Sequence, residues 1–302
     1  MTPPLILTPG DPLGIGPEVA VRALRETGVD AVMLGDVDTL RAWCPDLRIV
    51  TTIQAGSGLR AMEPQPGPEP VEVRAIRGAV AACRSGAARA MVTGPIHKAR
   101  LAAQGFHHAG HTEFLAELCG VEHPVMAFTG GELRVALVTV HLALRDVPAA
   151  ITYDRVLHTI LVAHAALVDQ LGIPNPRLVV TGLNPHAGDS GLLGREETDV
   201  IAPAVAAAKA AGVDARGPVS AETAFSQPHA ADLIVAMYHD QGLVPLKRCD
   251  FGRSVNWTLG LPIVRTSVDH GTADDLVGTG LARPDSMIAA IQLADRLSAA
   301  TS

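Results

Sequence analysis

The sequence predicts an α/β protein with a largely parallel sheet. Apolar strand-like runs alternate with amphipathic helical runs through most of the 302 residues, and this alternation is typical of the class. Proline and glycine stand at the boundaries of several helical runs, where they begin and end helices. At about 150 residues per domain, the length of the chain predicts two domains.

The first elements are a strand in "PLILTPGD", a helix in "PEVAVRALRETG" and a strand in "AVMLGD". Pro17 at the first helical position and Gly28 as a stop mark the helix. Residues 10–18, "GDPLGIGPE", connect the first strand to it. They depart from the dinucleotide fingerprint G-x-G-x-x-G, so their glycines predict a tight turn. Residues 54–72 contain four prolines and three glycines and predict a loop or linker.

Further along, helical periodicity predicts helices over 74–89 and 154–171, the second ended by Gly172. "AMVTGP" is a strand between them, and "SMIAAIQLADRLSAA" is the last helix. "AGHTEFLAELCG" opens another helix with Thr112 as its predicted cap. His111 and Thr112 would then lie at the positive end of a helix, where phosphate binds well. An ordinary N-cap with no ligand is the alternative.

Composition excludes several classes of partner. A net charge of −7 and a pI near 5.9 argue against a nucleic-acid or anionic-membrane surface. The four cysteines lie far apart without a C-x-x-C pair, so we expect reduced thiols. The first residues lack the basic region of a signal peptide, and no run approaches the ~18 apolar residues of a membrane span. We therefore expect a cytoplasmic protein with no nucleic-acid and no membrane partner.

Three histidines follow strand-like runs. "RVALVTVH" ends on His141, "RLVVTGLNPH" on His186 and "DLIVAMYH" on His239. In parallel α/β sheets, ligands bind outside the carboxyl ends of the strands. Three imidazoles that converge there suit a catalytic divalent metal such as zinc, although a single histidine is more often structural. Gly242 is expected to let the backbone turn back towards this site.

A polar and basic set follows the third histidine. Its members are Lys247, Arg253, Asn256 and Arg265. Arg265 stands in the apolar strand "LPIVRTSVDHG", where a charge requires an anionic partner. The set favours a phosphorylated ligand, with a solvated face as the alternative.

The combined motifs carry a resemblance that extends from residue 8 to residue 280. They are "TPGDPLGIGPE", "VTGPIHKARL", "GHTEFLAE", "VHLALRDVP", "GLNPHAGDSGLLGREE" and "AMYHDQGLVPLK…FGRSVNWTLGLPIVRTSVDHGTADDLVGTG". As a set they resemble the 4-hydroxythreonine-4-phosphate dehydrogenase family of pyridoxal 5′-phosphate biosynthesis. Two departures stand out: the chain is short for the family near 54–72, and "DSGLLG" is a looser match.

The resemblance implies a divalent-metal enzyme that uses NAD or NADP. It implies two α/β/α domains with a cleft between them, as in isocitrate and isopropylmalate dehydrogenases. One discontinuous domain, on the cofactor side, would be formed by 1–122 and 262–302. The other, on the metal and dimer side, would be 123–261. The family is a homodimer whose active site uses residues of both subunits.

Residue roles carried over from the family fall on four sets of positions. The metal ligands, for zinc, magnesium or cobalt, are His141, His186 and His239. The substrate-binding residues are His111, Thr112, Lys247, Asn256 and Arg265. "DHGTADDLVGTGLARP" resembles the cofactor loop of isopropylmalate dehydrogenases, which assigns NAD binding to His270, Gly271, Ala273 and Asp275. Either Asp240 or Lys247 would relay the proton.

The implied reaction is metal-assisted oxidation of 4-phosphohydroxy-L-threonine, a secondary alcohol β to a carboxylate, followed by decarboxylation. Related enzymes oxidise four-carbon sugar-acid phosphates (threonate or erythronate 4-phosphate) or aromatic cis-dihydrodiols. The basic residues fit a phosphorylated substrate better than a dihydrodiol. A metallohydrolase would use the histidines but needs no dinucleotide loop, and a non-catalytic phospholigand-binding protein would have no use for a metal.

Overall fold

The computed structural model describes residues 2–108, 110–250 and 252–299. The chain divides into two compact units. Unit 1 contains the residues up to Pro124 together with those from Leu261 onward, and unit 2 is Val125–Gly260. Both units contain strands and helices in alternation, as expected for an α/β protein.

The elements follow one another in chain order. Unit 1 begins with β1 (Leu5–Thr8), α1 (Gly16–Thr27), β2 (Ala31–Leu34), α2 (Val37–Trp43), β3 (Arg48–Ile49), β4 (Arg60–Met62), α3 (Val71–Arg84), β5 (Met91–Thr93), α4 (Lys98–Ala103) and α5 (His111–Cys119). Unit 2 contains β6 (Val125–Gly130), β7 (Leu133–Leu137), α6 (Val147–Ala150), α7 (Tyr153–Leu171), β8 (Arg177–Thr181), α8 (Ala202–Ala210), β9 (Asp214–Val219), α9 (Ala221–Ser226), β10 (Leu233–Ala236), α10 (His239–Cys249) and β11 (Val255–Leu259). Unit 1 resumes with β12 (Arg265–Ser267) and α11 (Asp285–Ala299).

The strands of unit 1 are parallel and lie in the order β3-β4-β2-β1-β5-β12. Thr8 at the end of β1 is in register with Thr93 at the end of β5, and Ser267 of β12 pairs with Thr93 from the other side. Three carboxyl ends therefore meet at one edge. Beneath them, Ile6, Met91 and the helical residues Ile76, Leu101 and Phe114 belong to one buried apolar cluster.

The strands of unit 2 lie in the order β11-β6-β7-β10-β8-β9. β7, β10, β8 and β9 are parallel, whereas β6 pairs antiparallel with both β7 and β11. The strands are thus largely parallel, as expected, with β6 as the exception. A two-residue turn at Gly131 and Glu132 joins β6 directly to β7. Gly131 adopts a φ of 57°, as tight hairpin turns require, and its N–H donates to Asp250 over 2.8 Å.

Helical periodicity and a glycine at the end of the helix placed α1 and α7 correctly. α1 begins beside Pro17 and ends at Gly28, whose φ is 62°. α7 is capped at its start by Thr152, whose side chain accepts from the N–H of Arg155, and at its end by Gly172. Ala300, at the end of the last predicted helix, lies outside the described residues. None of the helices in the described part of the chain has both the length and the apolar character needed to cross a bilayer.

The proline-rich stretch differs from its prediction as a loop. It contains β4, which pairs parallel with β2, and it runs into α3, which spans Val71–Arg84 in place of the predicted 74–89. Arg60 fixes β4, because its buried guanidinium contacts Asp30 and donates to the carbonyl of Gln54 over 2.5 Å. This tertiary ion pair overrides the local preference for a loop.

Candidate active site

Two of the three predicted histidines come together in unit 2. His141 follows β7 and His239 begins α10 directly after β10. β7 and β10 are parallel neighbours, with Leu137 in register with Ala236. The segments that follow these two strands therefore leave the sheet at the same edge. The two imidazole centroids lie 5.8 Å apart with their planes tilted by 46°. Topology therefore pairs two potential metal ligands.

His239 is oriented by its neighbour in sequence. Its Nδ1 lies 2.7 Å from a carboxylate oxygen of Asp240. When Nδ1 carries the proton that this contact requires, Nε2 keeps the lone pair that binds a metal. A carboxylate that fixes the tautomer of a ligating histidine is a recurrent feature of metal sites.

Gly242 has a different role from the predicted one. It lies inside α10, and a Cβ there would come within 2.6 Å of Val135 Cγ1 and 2.9 Å of Leu137 Cδ2. The expectation that it turns the backbone is wrong. Its lack of a side chain lets α10 pack closely on β7, and this brings His239 beside His141.

An open groove of about 620 Å³ runs along α10. His239, Leu243 and Lys247 follow one another at four-residue spacing, so they share a face of the helix. Asp240, Val244 and Arg248 complete the lining. The groove is thus apolar in its middle, with a histidine at one end and cations at the other.

His186 lies in a left-handed turn after β8. Five consecutive residues, 186–190, have φ between 44° and 80°, and only Gly188 among them is a glycine. Left-handed backbone costs about 1–2 kcal/mol for each residue that carries a Cβ. Side-chain contacts must hold such a turn, and strain of this kind is often found at functional sites.

His186 does not join the other two histidines within one chain. Among the described residues, no three His, Cys, Asp or Glu side chains are close enough together to hold a metal ion. Of the three predicted histidines, the structure therefore pairs His141 with His239.

The sequence analysis did not single out Gln241, whose side chain makes three hydrogen bonds. Its Oε1 accepts from Met237 N over 2.7 Å and from Thr181 Oγ1 over 2.8 Å. Its Nε2 donates to the carbonyl of Gly182 over 2.7 Å. One side chain thus connects the first turn of α10 to the end of β8. No local sequence signal indicates this, because Thr181 and Gly182 lie about 60 residues earlier in the chain.

In unit 1, His111 and Arg265 provide buried polar groups at the sheet edge. Arg265 begins β12, is only 2% exposed, and donates from Nη2 to Thr93 Oγ1 over 2.7 Å. Burial lowers the pKa of its guanidinium to about 9, while Glu113 acts in the opposite direction. His111 is the first residue of α5, so Gly110 occupies the cap position and the prediction of Thr112 as the cap is wrong.

The imidazole of His111 is uncharged at neutral pH. Burial lowers its pKa to about 3, and the nearby charges of Arg265 and Lys98 act in the same direction. Its Nε2 is buried without a hydrogen-bond partner among the described residues, as are His270 Nε2 and Asn256 Oδ1. All three atoms belong to predicted ligand-binding residues. Buried polar atoms in this state require a partner such as a ligand or water.

We expect the stability of the protein to fall as the pH falls because of His111. The unfolded chain takes up this proton near pH 6.5, whereas the folded protein does so only near about 3. The contribution is therefore complete above the unfolded pKa, is lost progressively as the pH falls below it, and is gone below the folded pKa. In urea unfolding at about pH 7.5 and about pH 5, the midpoint should fall less for His111→Gln than for wild type. His229→Gln, the same change at an exposed histidine, is the control and should keep the pH dependence of wild type. Equal pH dependence in wild type and His111→Gln would contradict the assignment of this effect to His111.

The predicted cofactor segment is held by Arg100. Arg100 donates to the buried Asp11 over 2.7 Å and to both oxygens of Asp274 over 2.6 and 3.1 Å. The hydrogen bonds that Asp274 accepts from Arg100, followed by one from Thr272, lower the pKa of Asp274 to about 2. Ile15 N also donates to Thr272 O over 2.9 Å. The glycine-rich segment 10–18 thus supports the segment that carries His270, Gly271, Ala273 and Asp275.

Comparisons with known proteins show the family to which this chain belongs. Residues 23–294 match the family described as pyridoxal phosphate biosynthetic protein PdxA. A curated relative from Caulobacter vibrioides, named 4-hydroxythreonine-4-phosphate dehydrogenase, is 46% identical over 325 residues, which cover 98% of each chain. That alignment is longer than this chain, so the chain is shorter than its relative in places.

Two crystal structures are similar over nearly the whole chain. One is 4-hydroxythreonine-4-phosphate dehydrogenase from Klebsiella pneumoniae, with a TM-score of 0.89, 38% identity and coverage of 98% of this chain and 99% of that chain. The other is a terephthalate 1,2-cis-dihydrodiol dehydrogenase from Burkholderia xenovorans, with a TM-score of 0.70, 30% identity and 96% coverage of each chain. The α/β fold predicted from the sequence is confirmed.

Proposed function

The chain belongs to the family of the pyridoxal phosphate biosynthetic protein PdxA, and on this premise we propose that it is a 4-hydroxythreonine-4-phosphate dehydrogenase. It is an oxidoreductase that uses a nicotinamide cofactor and acts in pyridoxal phosphate biosynthesis. The observation that carries the proposal is the match to dehydrogenases of that name over 98% of both chains.

The reaction oxidises the C3 hydroxyl of 4-phosphohydroxy-L-threonine to a ketone. A bound nicotinamide cofactor would accept the hydride from C3 and a base would accept the hydroxyl proton, and the product would be 2-amino-3-oxo-4-phosphonooxybutanoate. This β-keto acid loses carbon dioxide and becomes 3-amino-2-oxopropyl phosphate.

His141, His186 and His239 would hold the divalent metal. The adjacent imidazoles of His141 and His239 fit such an ion, because they provide two nitrogen ligands and one is oriented by Asp240. A bound metal supplies Lewis acidity to the oxygen of the alcohol and of the ketone. Imidazole ligands favour zinc or cobalt over magnesium.

The contact of Asp240 with His239 supports different roles for Asp240 and Lys247 of α10. Asp240 orients the imidazole, whereas Lys247, two helical turns further on along the same groove, relays the proton or binds the substrate. His111, Thr112 and Arg265 would bind the phosphate, and Asn256 would contact the substrate through its buried Oδ1.

His270, Gly271, Ala273 and Asp275 would bind NAD or NADP. Arg100 engages Asp274 through two hydrogen bonds, whereas Asp275 is an exposed carboxylate in the same turn. Asp275 is therefore the better placed of the two to accept hydrogen bonds from a cofactor.

We expect Lys247→Met to raise KM for the phosphorylated substrate roughly 10- to 100-fold. A charged hydrogen bond contributes about 1.5–3 kcal/mol, and methionine keeps the length of the side chain without its charge. Steady-state kinetics would measure the change. Arg248→Met, the neighbouring cation of the same groove, is the control and should alter KM little. An unchanged KM in Lys247→Met would remove Lys247 from the substrate site.

The direct test of the function is NADH formation from 4-phosphohydroxy-L-threonine, with and without a chelator. Threonate 4-phosphate, erythronate 4-phosphate and the cis-dihydrodiol of terephthalate are the comparison substrates. We expect the highest kcat/KM with 4-phosphohydroxy-L-threonine and loss of activity with chelator. A higher kcat/KM with a comparison substrate would reassign the specificity.

A homodimer and a cytoplasmic location complete the proposal. Exposed apolar side chains follow each of the three histidines in sequence: Leu142 and Leu144, Leu192 and Leu193, and Val244. Such residues favour an interface, which for an obligate dimer buries about 2,000 Å² or more. The four cysteines are free thiols, as is usual in a reducing compartment.

A further inference from the structure

The left-handed turn at 186–190 needs an external support. Four of its five residues carry a Cβ, and Ala187 and Ser190 in particular rarely adopt this conformation in isolation. Backbone of this kind persists only where the surroundings impose it. The contact that imposes it should be rigid, buried and close to both ends of the segment that leads into the turn.

Glu197 meets that description. It is 2% exposed, and its Oε1 accepts from Leu183 N and Asn184 N, both over 2.7 Å. Its Oε2 accepts from Asn184 Nδ2 over 3.0 Å. One carboxylate therefore fixes the two residues that precede Pro185 and His186.

The carboxylate also fills the inside of the loop. A Cβ on Gly182 would lie 2.9 Å from Oε1, and a Cβ on Gly188 would lie 2.6 Å from Oε2. Glu197 is thus in contact with the segment before His186 and with the middle of the turn after it. Burial raises the pKa of this carboxyl, but the hydrogen bonds from Asn184 and Leu183 more than offset that and lower it.

We propose that Glu197 is a positioning residue for His186. It holds the backbone on both sides of the histidine, so that the imidazole is presented at a fixed point on the surface of unit 2. This inference rests on the proposed function, in which His186 is the third metal ligand. The role of Glu197 is indirect, since its carboxylate is buried and occupied by three N–H donors.

Glu196 provides a matched control. Its Oε2 accepts from the same Asn184 Nδ2 over 2.7 Å, and it is only half-buried. Glu196→Gln changes the same functional group one residue away. In Glu197→Gln, by contrast, one oxygen becomes an NH2 group that meets N–H donors, so the loop loses part of its support.

The test is titration of the metal-free protein with Co²⁺, followed by calorimetry and by the visible absorption of the bound ion. We expect Glu197→Gln to weaken Co²⁺ binding roughly 10- to 100-fold and to shift the absorption towards that of His186→Ala. Glu197→Asp, which keeps the charge but draws it back from the loop, should do the same. Glu196→Gln should retain the affinity and spectrum of wild type.

A purely structural role would lower the unfolding temperature of the Glu197 variants and leave Co²⁺ affinity and absorption unchanged. Wild-type affinity and spectrum in either folded Glu197 variant would overturn the inference alone, provided that His186→Ala is altered. If His186→Ala itself bound Co²⁺ like wild type, the assignment of His186 to the metal would fall, and the role of Glu197 with it.

Discussion

His239→Ala is expected to lower kcat by roughly 10³-fold or more while the fold is retained. A metal that polarises the reacting oxygens is worth several kcal/mol, and each 1.36 kcal/mol corresponds to a factor of ten in rate. The His239 side chain is 37% exposed and its contact with Asp240 lies at the surface, so its removal should cost little stability. Steady-state kinetics and thermal unfolding of the same preparation would measure both effects.

His229→Ala is the control for this variant. His229 is also a histidine of unit 2 beside a carboxylate, with Nε2 3.4 Å from Glu132, and it is 79% exposed. It should retain full activity. Turnover of His239→Ala within about tenfold of wild type would contradict the assignment of this residue to the metal.

The parts of the fold that the sequence predicts well are those governed by local chemistry. α1 and α7 combine a helical apolar period with a glycine that adopts positive φ at the stop. α10 has no such signal, since it contains both Gly242 and Pro245. It forms because the glycine allows it to pack on Val135 and Leu137, a tertiary cause that local reasoning cannot detect.

The same distinction applies to the candidate site. The rule that ligands bind beyond strand ends identifies His141, His186 and His239 from sequence. Which of them meet depends on strand order, and the pairing of β7 with β10 is a property of the sheet. The left-handed turn at 186–190 could not be predicted either, because Glu197, which binds the segment leading into it, comes from a later part of the chain.

Mixing two inactive variants is expected to restore activity only when one of them is His186→Ala. If the metal is held by His141 and His239 of one subunit and by His186 of the other, a heterodimer of His186→Ala and His239→Ala has one intact site. Random exchange at equal concentrations makes half of the dimers heterodimers, so activity should recover to about one quarter of wild type. Kinetics after exchange, with heterodimers verified by native mass spectrometry, would measure it.

The combination of His141→Ala with His239→Ala is the internal control. The structure places these two imidazoles 5.8 Å apart in one chain, so each site of that heterodimer lacks one of them and no activity should return. Recovery in this mixture would mean that the pair is divided between subunits. Failure of the His186→Ala and His239→Ala mixture despite verified exchange would place all three ligands in one chain. A monomer in sedimentation would refute the shared site altogether, because a third ligand from a second chain requires a dimer.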